Sequence, residues 1–426
     1  MDNSTTKRPI TELRDGLVAL VFVITLGAVI GVLALAFFQL VTFASHYWGL
    51  SLSKDLQADW HYSPTLGVSL LVTALVAGQL LRFMKDHRPQ GPADLIQAAQ
   101  QNQEPDLKNG FRSSLLALNN LCGGASVGIF GPLVHFGGCL SALFFKAARR
   151  IPENLVLGAG AGAAIAAVFS APLGATIFAY EVIIRRFGSW GVALLLASSF
   201  TAFWTAEQVL GGHRLFSVSS VPNLNVQTVA IAFGVGIACG LASIAYIYLV
   251  TKMPTLAKKS RLPITLRPLV PATLIFVISP LLPHVVGLGL DTISMAMAGQ
   301  LALSLLLALI VGKIVLTSIC MGFGYFGGVF SPALFYGAMI GAVVDLLLGS
   351  GQAVTEYALL GAASSIACVI GAPIASIVIV LEITGSYEWA ALSAMSVAGG
   401  TLISNALIGR SLFDRQLSEE GQPSGQ

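Results

Sequence analysis

Two stretches of the chain decide its fold: Gly128-Ile129-Phe130-Gly131-Pro132 and Gly328-Val329-Phe330-Ser331-Pro332. They share the pattern Gly-x-Phe-x-Pro and lie 328 − 128 = 200 residues apart. An apolar stretch of helical length follows each one, at 133–145 and at 333–348. Glycine lets the backbone approach a ligand closely, and proline is tolerated in the first turn of a helix. Each stretch therefore predicts a glycine-lined segment that leads into a helix.

The two halves of the chain match again further along. An Ala-Pro pair follows each stretch, with its proline at Pro172 in the first half and at Pro373 in the second. The intervals between prolines are 172 − 132 = 40 and 373 − 332 = 41 residues. Glu181 and Glu382 then follow these prolines at the same distance, 181 − 172 = 9 and 382 − 373 = 9. Internal repeats with Gly/Pro-interrupted segments at corresponding positions indicate a transport site at the repeat interface.

The composition predicts a membrane protein. Hydrophobic residues make up 55% of the chain and charged residues 10%, with a mean hydropathy of +0.81, whereas an average soluble protein is about 25% charged. A spanning helix needs about 20 apolar residues. The uncharged runs that reach or approach this length are 17–45, 66–81, 155–180, 188–206, 229–250, 301–312, 358–381 and 390–409. The predicted fold class is an all-α integral membrane protein embedded in the lipid bilayer.

Other classes of protein find no support in the sequence. It has no Walker-type glycine-rich loop with lysine and no zinc-ligand spacing, which are the signatures that hydrolytic enzymes of those kinds need. We therefore expect no enzyme activity, no metal and no cofactor. The net charge of +3 is too small to suggest a nucleic-acid partner.

The predicted organisation has one membrane domain between two short polar segments. A cytoplasmic amino-terminal segment, a transmembrane domain and a polar tail cover 1–16, 17–410 and 411–426. Within the transmembrane domain, repeat one covers about 17–212 and repeat two about 229–410. Basic residues precede the first apolar run, and basic residues favour the cytoplasmic side. The amino terminus is therefore predicted to be cytoplasmic.

The two glycine-rich stretches also predict a ligand. The first N–H groups of a helix have no partner within it, and the helix dipole makes that end positive, so an anion is favoured there. Two such ends facing each other would hold an anion without a buried lysine or arginine, which could bind it too tightly to release. The alternative is that both stretches are helix breaks that permit close packing. Their matched placement favours the anion site.

The ordered set of motifs resembles the CLC family of chloride channels and transporters, over about 66–413. The two stretches are similar to the family's signatures G(K/R)EGP and GxFxP. The resemblance implies a homodimer of two inverted repeats with tilted and half-spanning helices, in the bacterial inner membrane, with both termini cytoplasmic. It implies chloride or a similar small anion as the transported ligand. It also implies anion coordination by the N–H groups of Val329 and Phe330, and by amides near Ile129 and Phe130.

The chain departs from the family's pattern at four positions. The gating glutamate is Phe130 here, and the inner glutamate that relays protons in the exchangers is Val182. The pore serine falls at Gly91 and the pore tyrosine at Phe413, so neither hydroxyl is present. The residues that the resemblance places in the anion pathway are Gly91, Gly128, Ile129, Phe130, Gly131, Pro132, Gly328, Val329, Phe330, Ser331, Pro332 and Phe413.

Because a proton relay needs groups that gain and lose protons, the sequence favours a passive chloride channel. Two alternatives remain open: a chloride/proton or fluoride/proton antiporter, and a non-conducting relative whose pore Phe130 plugs.

Several polar residues lie inside apolar runs and have two interpretations each. Glu181 and Glu382 are functional carboxylates or, as their matched placement favours, structural partners of a basic residue or of backbone N–H groups. His135 lies one helical turn past the first motif and either faces the pore or is structural. Lys313 and Asp345 are interpreted as packing-paired or interface residues.

Overall fold

The computed structural model describes residues 9–47, 64–144, 151–185, 188–210, 222–348 and 356–420. The first half of this part consists of the helices α1 (Pro9–Tyr47), α2 (Pro64–Arg82), α3 (Pro92–Gln101), α4 (Leu107–Cys122), α5 (Phe130–Ala142), α6 (Glu153–Phe169), α7 (Pro172–Phe178) and α8 (Ser189–Leu210). The second half consists of α9 (Val226–Lys259), α10 (Leu269–Ile278), α11 (Leu290–Met297), α12 (Leu303–Gly322), α13 (Phe330–Leu348), α14 (Glu356–Ile366), α15 (Pro373–Thr384), α16 (Tyr387–Leu407) and α17 (Leu412–Glu420). Helices α7 and α14 continue as the π-helical turns Ala179–Ile184 and Ala367–Gly371.

The helices have very unequal lengths, and many carry apolar residues on their outer surface. Leu17, Val21 and Phe43 of α1 are 56%, 63% and 70% exposed, which suits a surface in contact with lipid. Shorter apolar helices such as α6 and α15 lie among the long ones. The segments long and apolar enough to span a membrane are Asp15–Ser45, Pro64–Arg82, Ser189–Val209, Val226–Lys259, Leu303–Gly322, Phe330–Leu348 and Tyr387–Ser418. The prediction of an all-α integral membrane protein is confirmed.

The two glycine-rich motifs meet at the centre of the molecule. The Gly128 N–H donates to the Gly328 carbonyl at 2.7 Å, and the Gly328 N–H donates to the Gly128 carbonyl at 2.6 Å. A Cβ on Gly128 would lie 2.7 Å from the Gly328 oxygen, and one on Gly328 would lie 2.7 Å from the Gly131 nitrogen. Only glycine permits so close an approach. Because equivalent residues exchange equivalent bonds, a local twofold axis relates the two motifs.

A second pair of contacts obeys the same symmetry. The Glu181 carboxylate accepts from the N–H groups of Ile374 and Ala375 at 3.0 and 2.7 Å. The Glu382 carboxylate accepts from the N–H groups of Leu173 and Gly174 at 2.9 and 2.7 Å. Each half of the chain therefore caps the first turn of the matched helix in the other half. Both glutamates have the structural backbone partners that their sequence placement favoured.

The segment predicted as a short polar tail, 411–426, contains a helix. Helix α17 begins at Leu412 and continues to Glu420. The Ser411 hydroxyl accepts from the Asp414 N–H at 3.3 Å, and the Asp414 carboxylate accepts from the Ser411 N–H at 3.2 Å. This capping box explains why a polar segment starts a helix here. Residues 1–8 of the predicted amino-terminal segment and 421–426 of the tail lie outside the described residues, as does the predicted end of repeat one at about 212.

Candidate anion site

A cavity of about 750 Å³ lies where four helices begin. Gly91 is the residue before α3, Phe130 opens α5, Phe330 opens α13, and Phe413 lies in the first turn of α17. The predicted pathway residues that line this cavity are Gly91, Phe130, Gly131, Gly328, Val329, Phe330 and Phe413. The helix starts thus surround a single space, and their dipoles make its wall electropositive.

The remaining pathway residues are buried but do not line the cavity. They are Gly128, Ile129, Pro132, Ser331 and Pro332. The Ile129 N–H donates to the Ser331 hydroxyl at 3.2 Å, so this amide is already engaged across the repeat interface. The N–H groups of Phe130, Val329 and Phe330 are therefore the better candidate donors, because the first N–H groups of a helix have no acceptor within it.

The mouth of the cavity carries charges of both signs. Arg88, Lys258 and Arg267 line it together with Asp86 and Asp94. The Arg88 guanidinium forms an ion pair with the Asp94 carboxylate at 2.5 Å. Arg267 donates through Nε to the Leu262 carbonyl at 3.1 Å. Basic side chains at an entrance raise the local concentration of anions.

The wall of the cavity is poor in hydroxyl groups. Thr251 and Thr255 are the hydroxyl-bearing residues among the described ones that line it, and the Thr251 hydroxyl donates to the Ile247 carbonyl at 2.9 Å. Neither Gly91 nor Phe413 can donate a hydrogen bond from its side chain. An anion in this cavity would have the helix-start amides as its main fixed donors.

A cluster of three phenylalanines lies at the cavity wall, and two of them, Phe130 and Phe330, line the cavity. The ring centroid of Phe130 lies 4.4 Å from that of Phe169 and 5.0 Å from that of Phe330, and the Phe169 and Phe330 centroids are 5.3 Å apart. All three side chains are buried. Sequence reasoning did not find Phe169, because its position before an Ala-Pro pair predicts a helix end but no ring contact.

The position of the family's proton-relaying glutamate carries no titratable group. Val182 is buried in the π-helical turn that follows α7 and does not line the cavity. Its neighbour Glu181 is occupied by the amides of α15. His135 also lies away from the cavity: it is buried in α5, with Nε2 3.6 Å from the Cys139 sulfur.

A buried lysine lies behind the first glycine-rich motif. The Lys313 ammonium donates to the carbonyls of Gly287 and Val285 at 2.7 and 3.3 Å and lies 5.0 Å from the centre of the Phe335 ring. The Ser126 hydroxyl, two residues before Gly128 in the chain, donates to the same Val285 carbonyl at 2.6 Å. These contacts match the predicted packing role, and they add that Lys313 is next to the loop that leads into the anion site.

His284, the residue before Val285 in the chain, adds no charge at neutral pH. Burial lowers the pKa of His284 below its usual range, so its imidazole is neutral there.

Paired helix starts around a buried cavity, within a bundle of membrane-spanning helices, define a class of anion-transport proteins. The chain belongs to the CLC family, because the family profile described as voltage gated chloride channel matches residues 72–405. It is therefore a multi-pass membrane protein for anion transport.

Relatives and solved structures of this family include both channels and exchangers by name. A putative chloride channel protein ClcB-like of Ralstonia nicotianae is 25% identical over 87% of this chain and 90% of its own length. The H(+)/Cl(-) exchange transporter ClcA of Klebsiella pneumoniae is 27% identical over 70% of this chain and 66% of its own. The structure of a slow cyanobacterial Cl-/H+ antiporter superposes with a TM-score of 0.80 at 21% identity, over 95% of this chain and 98% of that one. The structure of a CLC-type fluoride/proton antiporter superposes with a TM-score of 0.78 at 20% identity, over 96% of this chain and 98% of that one. These likenesses show the CLC-type fold of two inverted repeats.

Proposed function

We propose that the protein is a passive chloride channel in which the N–H groups of Phe130, Val329 and Phe330 coordinate the permeating anion. The observation that carries this proposal is the apolar character of the two positions where an exchanger needs carboxylates. Phe130 and Val182 are both buried, at 0% and 1% exposure, and neither can carry a proton. Glu181 cannot replace Val182, because its carboxylate is held by two amides of α15.

The competing function is a chloride/proton or fluoride/proton antiporter. The shared fold does not separate the two, because named exchangers and antiporters have it as well. The distinction lies in the side chains along the path. A non-conducting relative is the second alternative, and the ring of Phe130 in the wall of the cavity is the observation that favours it.

One experiment decides among the three. The purified protein is reconstituted into liposomes loaded with chloride, and chloride efflux and external pH are recorded together. We expect chloride efflux without stoichiometric proton movement, and the same efflux at different proton gradients. Proton uptake driven by a chloride gradient would establish the antiporter, and no efflux from any preparation, including Phe130→Ala, would establish the non-conducting relative.

The proposal includes a homodimer in the bacterial inner membrane, with both termini cytoplasmic. Leu173 and Ile374 support the dimer: they occupy matched positions in the two repeats, directly after Pro172 and Pro373, and are 50% and 56% exposed. Apolar residues related by the local twofold axis form a surface suited to another copy of the chain. Sedimentation of the protein in detergent should give the mass of two chains, and Leu173→Trp should shift it toward one.

A further inference from the structure

We propose that Phe169, with Phe130 and Phe330, forms a hydrophobic gate at the wall of the cavity, closed in this conformation and opened by movement of the Phe169 ring. The inference rests on the proposed anion channel, since a gate has meaning only in a conducting path. It assigns a role to Phe169, which lies 169 − 130 = 39 residues after Phe130 and 330 − 169 = 161 residues before Phe330 in the chain. Its ring contacts the first residue of α5 and the first residue of α13.

The position of the cluster makes it a barrier. Phe130 and Phe330 form part of the wall of this cavity, whereas Phe169 does not line it and packs against both of them. The centroid distances of 4.4, 5.0 and 5.3 Å leave no gap for an ion between the rings. An anion forced through such a contact would lose its hydration and find no donor, and hydrophobic constrictions stop conduction in this way.

The backbone segments that carry two of the three rings are held to each other. Phe130 lies two residues after Gly128, and Phe330 lies two residues after Gly328. The two backbone hydrogen bonds between Gly128 and Gly328 hold these segments together. Phe169 has no such clamp: it is the last residue of α6, and Ser170 after it has a positive φ of 52° that ends the helix. Phe169 is therefore the ring that can move without breaking the repeat interface.

A second cavity gives the moving ring somewhere to go. Phe169 and Phe203 form part of the wall of a space of about 500 Å³, together with Ser170, Pro172, Glu207, Glu382 and Ile383. Packed interiors seldom leave room beside a large side chain. This space next to the Phe169 ring is therefore the second observation that supports the gate. Rotation of Phe169 into it would separate the ring from both partners at once.

The test compares chloride efflux from liposomes for the wild type, Phe169→Ala, Phe169→Leu and Phe130→Ala. The matched control is Phe136→Ala, because Phe136 lies on α5 and contacts two phenylalanines, Phe37 and Phe111, at 6.2 Å each, away from the cavity. Thermal unfolding in detergent checks that every variant is folded. We expect Phe169→Ala to speed efflux by about tenfold or more, because it removes two aromatic contacts of the closed state. Phe169→Leu keeps an apolar side chain there and should stay near the wild-type rate.

The double variant Phe130→Ala/Phe169→Ala should conduct little faster than either single variant, because both changes open one gate. If Phe169→Ala does not fold, Phe130→Ala alone should show the acceleration. Efflux from Phe169→Ala at the wild-type rate, or an equal acceleration by Phe136→Ala, would overturn the gate while leaving the channel standing. Chloride efflux from no variant at all would overturn the channel and the gate together.

Discussion

The candidate anion site has room for the hydroxyl groups that it lacks, so restoring them should tighten chloride binding. Gly91 has φ −139° and ψ −163°, which any residue adopts. A Cβ there would lie 3.5 Å from the nearest atom of the Phe326 ring, an ordinary contact. Gly91→Ser should therefore fit, and serine also suits a position that precedes a helix. Phe413→Tyr adds a hydroxyl to a ring that already lines the cavity.

The expected gain follows from the value of one hydrogen bond. A net hydrogen bond contributes about 1 kcal/mol, since the anion exchanges water for the new donor. Each variant alone should thus lower the chloride dissociation constant about fivefold, and the double variant about 30-fold. Slower exit should accompany tighter binding, so the double variant should also conduct more slowly. Discrimination among chloride, bromide and nitrate should rise, because two donors of fixed geometry then contact the ion.

Calorimetric titration of chloride into protein in chloride-free detergent buffer measures these constants. Gly91→Ala is the matched control, because it adds the same Cβ without the hydroxyl. We expect it to bind chloride as weakly as the wild type. Equal affinities for Gly91→Ser and Gly91→Ala, together with no change in Phe413→Tyr, would refute the assignment of this cavity as the anion site. Submillimolar chloride affinity in the unmodified protein would refute the idea that the missing hydroxyls weaken it.

Two further predictions concern groups outside the cavity. Glu181→Ala and Glu382→Ala should each lower the free energy of unfolding by about 2–3 kcal/mol, because each removes two charge-assisted bonds to a helix start. Thermal or urea unfolding in detergent measures this, and clearly unequal losses would contradict the symmetric capping. Lys313→Met should cost about 1–3 kcal/mol by leaving the Gly287 carbonyl without its donor. It should also weaken chloride binding, because Lys313 and Ser126 both donate to the Val285 carbonyl and so hold the loop that leads into the candidate anion site. The control is Lys259→Met at the exposed end of α9, and unchanged chloride affinity in Lys313→Met would show that this anchor does not affect the anion.

The parts of the fold that sequence could predict are those with a local signal. The Gly-x-Phe-x-Pro pattern, the Ala-Pro pairs and the long uncharged runs each depend on neighbouring residues, and they were enough for the membrane helices and the family. The cap of α17 was equally local: Ser411 and Asp414 have the spacing of a capping box. It was missed because the segment has no apolar run.

The contacts that sequence could not predict join residues far apart in the chain. Glu181 lies 193 residues before its partner Ile374, and Glu382 lies 209 residues after Leu173. Matched spacing indicates that the two glutamates are equivalent, but not that each one reaches across to the other half. Lys313 ended the predicted run at 301–312, whereas α12 continues to Gly322. The carbonyls of Val285 and Gly287 accept hydrogen bonds from Lys313. No sequence pattern near Lys313 predicts these two partners.

The exchange of glutamate caps has a consequence for the order in which the chain matures during synthesis. Helix α7 emerges from the ribosome about 200 residues before Glu382, the residue that caps it. Until then its first N–H groups have no carboxylate partner, and the helical segment is short, ending at Ile184 even with the π-helical turn that follows α7, so it has little stability by itself. Helix α15, by contrast, emerges when Glu181 is already in place. The cap of α7 therefore forms only after Glu382 has been synthesised, so the two caps are completed together by the segment that contains α15.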